Sequence, residues 1–165
     1  MEGQIYVTRK VRLLNFAQKD KMTDEIHQRV GEVYGYISAV DTAQGLLNDL
    51  FNRDHELKEP GNEKKYLKAL ETTTQRLSND TNRLFDGTKV YIDTINIFDH
   101  VNCKGTTKLI AKVQREMPNK IVNPTKLRAF VMEKIDATNT LLNLSDNAYN
   151  KWQKKLAENK EEISV

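Results

Sequence analysis

A chain of 165 residues is long enough to bury a core, and its single cysteine, Cys103, excludes an internal disulfide, so stability has to come from packing. With 38% hydrophobic and 30% charged residues, the composition suits narrow apolar seams under a broad charged surface. The formal charge of +3 is too small to imply nucleic acid by itself, but it is unevenly spread: eight basic residues between Lys104 and Lys134 face only Glu116 and Glu133, while Asp49 to Glu63 is net acidic.

Residues 1–21 alternate loosely at Ile5, Val7, Val11 and Leu13 among basic side chains, and predict an irregular or extended arm. No apolar signal core opens the chain and no run approaches the ~18–20 residues of a membrane span. The expectation is a soluble protein, cytoplasmic unless a signal was removed upstream. A first helix is predicted over about 23–52, with Thr23 as N-cap and Asp24 and Glu25 at the positive helix start. Its seam reads Ile26, Val30, Val33, Ile37, Val40, Leu47 and Phe51, with Gln44 at the missing heptad position. The turn pair Pro60-Gly61 separates it from a second helix over 62–102, in which Leu67, Leu70, Thr74, Leu77, Thr81, Leu84, Thr88, Tyr91, Ile95 and Phe98 alternate gaps of three and four. That heptad is the pattern of a long, coiled-coil-like helix packed along its length.

A short helix over 107–117 is closed by Pro118, and a fourth over 124–158 opens with Asn123 as cap and Pro124 at its first position. Long helices joined by short turns pack as antiparallel neighbours. The chain therefore reads as all-α, an elongated antiparallel three- to four-helix bundle over 22–160 behind the arm.

Four features stand out from the seams. Thr74, Thr81 and Thr88 share a heptad register, where each hydroxyl either bonds the carbonyl one turn back or acts between helices. Gly31, Ser38 and Gly45, with Gly35 nearby, form a column of small residues in the first helix. Each glycine there costs ~0.8–1.0 kcal/mol relative to alanine, which suggests close packing inside the bundle or at an interface, or a hinge that lets the helix bend. Asn139, Asn143, Asn147 and Asn150 make an uncharged amide face on the fourth helix. Lys104, Lys108, Lys112 and Arg115 make a basic stripe with the chemistry for phosphates or an acidic protein.

For chemistry the inventory is thin. The histidines are His27, His55 and His100; His100 and Cys103 at i, i+3 with Asp99 adjacent are the best metal candidate, but two or three such ligands arise easily by chance. No phosphate loop or nucleophile elbow is present. The expectation is no catalytic site, no metal, no cofactor and no small-molecule substrate. The function expected is protein–protein interaction or self-association, as adaptor or structural subunit. The alternative is a nucleic-acid-associated protein using the basic stripe, and a metal-dependent enzyme ranks last.

Overall fold

A computed structural model describes residues 16–53, 61–102 and 105–164. Four helices make up the described chain: α1 (Phe16–Asn52), α2 (Asn62–Val101), α3 (Thr106–Glu116) and α4 (Pro124–Ser164). The all-α helical bundle expected from the seams is what forms. The helices group into two compact units. One unit takes α1 up to Gly35 and residues Asp86–Val131; the other takes Tyr36–Phe85 and the chain from Met132 onward.

In the first unit, Ile26, Val30 and Val33 of α1 are buried with Tyr91 and Ile95 of α2, Leu109 and Val113 of α3, Val122, and Leu127 and Val131 of α4. α1 starts earlier than expected. Residues 1–15 of the arm lie outside the described residues, but residues 16–21 are helical, and Thr23 is no cap. Its hydroxyl donates to the Lys19 carbonyl at 2.9 Å, one turn back within the helix. The reason is burial: Met22 extends the Ile26–Val30 seam by a further turn, and nothing from Phe16 to Lys21 breaks a helix. The start of α4 is as expected, with the Asn123 Oδ1 accepting the Lys126 N–H at 3.0 Å. Gly105, before α3, sits where a Cβ would lie 2.7 Å from the Asn102 side chain, a close approach that only glycine allows without displacing Asn102.

In the second unit, Val40, Ala43 and Leu47 of α1 are buried with Leu70, Leu77 and Leu84 of α2. Side-chain pairs fix how the helices run. Tyr66 meets Trp152 edge-on at 6.1 Å and Thr74 meets Ser145 at 2.6 Å, so residue numbers rise on α2 as they fall on α4. Lys134 to Asp41 at 2.8 Å and Gln44 to Thr138 at 3.0 Å rise together, so α1 and α4 run the same way. Three helix segments thus pack up, down and up. The Thr74 hydroxyl bonds across to α4 rather than one turn back, and the Thr81 hydroxyl is buried with no partner at all. Two of the three column threonines therefore act between helices or go unmet, and only Thr88 is left for the local reading. Gln44 fills its seam position by donating its amide to Thr138, which is fully buried.

Candidate interaction surface

The residues singled out in the sequence do not converge on one site. Gly31 and Gly35 belong to the first unit, Ser38 and Gly45 to the second. A Cβ built on Gly31, Gly35 or Gly45 meets nothing within 4 Å. No neighbouring helix therefore closes on these three glycines. Gly35, Ser38 and Gly45 are exposed and Gly31 is half-buried, so most of the column lies on the outer side of the helix. What remain open are the interface and hinge roles. Asn139, Asn143, Asn147 and Asn150 are all exposed on α4.

The basic stripe belongs to the first unit. Lys104 lies outside the described residues, while Lys108, Lys112 and Arg115 are exposed on the side of α3 opposite Thr106, Leu109 and Val113, which are buried. Glu116, next to Arg115 on α3, contacts the His27 Nε2 of α1 at 2.5 Å. His100 is exposed and Cys103 lies outside the described residues; among the described residues, no three of His, Cys, Asp and Glu converge in a way that could hold a metal.

A feature that the sequence reading missed adjoins this stripe. Residues 117–123 join α3 to α4 without regular structure, yet more than half of their backbone polar groups are hydrogen-bonded. The Gln114 amide donates to the carbonyls of Met117 at 3.1 Å and Lys120 at 2.7 Å, and its oxygen accepts the Val122 N–H at 3.1 Å. The Tyr34 hydroxyl accepts the Ile121 N–H at 2.7 Å, and the buried Tyr91 hydroxyl donates to the Val122 carbonyl at 2.5 Å. Burial pushes the Tyr91 phenol well above its ordinary range, so it stays a donor. Lys120 is placed over the Tyr34 ring, with its Nζ 5.7 Å from the centroid. A groove of about 540 Å³ runs between this connector and one edge of α3. The signal that could have found it is local: an apolar Ile121-Val122 pair between Pro118 and Pro124 has no reason to be a solvated turn.

Two of the other grooves carry both acidic and basic side chains. One of about 320 Å³ adjoins the first, sharing Thr107, Ile110 and Asn123 and adding Asp99 and Arg128. The other, about 780 Å³ between α1 and α2 of the second unit, is lined by Ala39, Lys68, Gln75, Arg76, Asp80 and Arg83. There Asp80, only 8% exposed, already lies 3.8 Å from Arg76 and 3.6 Å from Arg83. Asp80 and Glu71 offset two of the three cations lining this groove, Lys68, Arg76 and Arg83, which leaves a net charge of +1.

Apolar side chains also reach the surface. On α2, Val90, Ile97 and Val101 are 42%, 60% and 48% exposed, and their spacing of seven and four aligns them on one side of the helix. The exposed Asp86 and Asp93 each lie four residues before a member of this stripe. No described helix is long and apolar enough to cross a membrane.

A scan against protein-family models, a search of curated proteins and a search of solved structures each return no match.

Proposed function

We propose that this chain is a non-enzymatic helical-bundle protein that works by protein–protein interaction, as an adaptor or a structural subunit of an assembly. The observation that carries the reading is the α2 stripe. Three aligned aliphatic side chains, each 42–60% exposed, cost solubility without adding to the core. The exposed, uncharged residues Gly35, Ser38 and Gly45 on α1, and Asn139, Asn143, Asn147 and Asn150 on α4, extend the same logic, because a merely solvated helix favours Lys and Glu there.

The test is affinity purification of the tagged chain from its native source, split into nuclease-treated and untreated halves, with Ile97→Asp in parallel. The reading requires a near-stoichiometric protein, or a second copy of the chain, that survives nuclease and is lost with Ile97→Asp while the variant melts where the wild type does. A chain that retains no protein, or retains it regardless of Ile97, overturns it.

The second reading is nucleic-acid association through Lys104, Lys108, Lys112 and Arg115, supported by the exposure of the last three on one side of α3. It requires binding that falls steeply with salt, since each phosphate contact releases counterions. Charge reversal at Lys108 and Lys112 should abolish that binding; indifference to salt and to the reversals overturns it.

A further inference from the structure

We infer that the groove beside the α3–α4 connector is a second binding surface, independent of the α2 stripe, for an acidic peptide segment carrying an aliphatic side chain. Its floor is aliphatic: Ile110 and Ile121 are half-buried, and Ala111 and Pro118 are exposed beside them. Its rim is basic, formed by Lys120 and Lys126, and no carboxylate lines this stretch. Arg128 continues the rim into the adjoining groove, where Asp99 is the acid present. The start of α4 lies at the same place through Asn123, and the partial positive charge of a helix start favours carboxylates.

Preorganisation is the reason to expect binding rather than loose charge attraction. Gln114, Tyr34 and Tyr91 hold the connector backbone by five hydrogen bonds of 2.5–3.1 Å. Ile121 and Lys120 are therefore presented in one geometry before a ligand arrives, which cuts the ordering cost of association. A peptide fits this chemistry better than nucleic acid does. The lining residues include no aromatic ring on which a base could stack, while an aliphatic floor has nothing to offer a phosphate backbone.

The experiment uses the whole chain, isotopically labelled, in amide proton–nitrogen correlation spectra titrated with a capped EELIEE peptide. Parallel titrations use KKLIKK, an all-glutamate hexapeptide and a short oligothymidylate. Saturable shifts confined to Thr107–Arg128 are expected from EELIEE, with weaker binding by at least about tenfold for the all-glutamate peptide. The K120E/K126E double variant should lose the shifts, and Ile121→Ser should weaken them while the lysines remain. Thermal melting of both variants controls for folding, since neither change removes a connector hydrogen bond. No shift at about 1 mM EELIEE overturns the inference, because that limit marks only ~4 kcal/mol of affinity. Equal binding of the all-glutamate peptide overturns the aliphatic anchor, and tighter binding of oligothymidylate overturns the assignment to a peptide. None of these outcomes bears on Ile97, so failure here and failure of the assembly reading are separate results.

Discussion

Replacing Thr81 with valine should make the protein more stable. Thr81 sits in the α2 seam, 7% exposed, and its hydroxyl has no hydrogen-bond partner. The pairing of Thr74 with Ser145, seven residues before Thr81 on α2 and seven after Thr138 on α4, places Thr81 at the level of Thr138. There the Thr138 oxygen already accepts the Gln44 amide at 3.0 Å. An unmet buried polar group costs roughly 1–3 kcal/mol, and valine has nearly the same shape and helix propensity. Buried methyl area adds up to ~0.8 kcal/mol, while part of the hydroxyl cost is relieved by small adjustments. A gain of about 1–2 kcal/mol follows, or roughly 3–6 °C in Tm for a chain of this size.

Urea denaturation followed by far-UV circular dichroism and by fluorescence of Trp152 measures it, because the single tryptophan packs on Tyr66 in the same unit as Thr81. The midpoint should rise at unchanged slope. Thr138→Val, at a fully buried site on the same layer, should instead lower stability by about 1–2 kcal/mol, since it strands the Gln44 amide. Equal effects of the two substitutions, or a loss with Thr81→Val, would refute the assignment of partners within this layer.

Further outcomes follow from the same contacts. Gly35→Ala and Gly45→Ala should each stabilise the fold by about 0.5–1 kcal/mol, because the added Cβ meets open space in a helix; thermal melting checks both. Tyr91→Phe should cost about 1–2 kcal/mol by leaving the buried Val122 carbonyl unmet, as read by urea denaturation. In the wild type the raised Tyr91 pKa means that the unfolded chain releases its phenolic proton first. Stability is thus fully present below the ordinary value of 10.0 and falls above it, at up to ~1.4 kcal/mol per pH unit from this group; Tyr91→Phe removes that share of the slope. His27→Gln should change stability by less than about 1 kcal/mol in melting experiments, since both His27 and Glu116 are partly exposed.

How much of this was legible depended on whether the deciding interaction is periodic, local or distant. The α2 heptad is periodic, and Leu70, Leu77, Leu84 and Tyr91 are all fully buried. The start of α4 is local chemistry, so Asn123-Pro124 could be read directly. The start of α1 was not legible, because threonine caps a helix and bonds back inside one equally well, and burial of Met22 decides between them. Spacing by sevens placed Gly31, Ser38 and Gly45 in one column but did not say which side. Each follows a seam position by one residue, and that 100° step carries the column outward. The connector was only half legible: the apolar Ile121-Val122 pair marks a buried turn, but its partners Tyr34 and Tyr91 reach it from far away in the chain, which spacing does not announce.

The placement of polar and apolar groups is what argues for a surface under functional demand. Inside, polar side chains are spent on register and on the connector: Gln44 with Thr138, Thr74 with Ser145, and Gln114 with three backbone groups. Outside, Val90, Ile97 and Val101 face solvent, and α1 carries glycines where alanine would serve the helix better. A chain shaped by its own stability alone would have the reverse at both places, and sites that break a local rule without a folding gain are where function is sought. The expectation is therefore a trade between the two: Ile97→Lys and Gly35→Ala should leave melting unchanged or raised, while Ile97→Lys costs the partner. If substitutions across these faces improved stability and left every retained protein in place, the exposed aliphatics would be neutral and the assembly reading would fall with them.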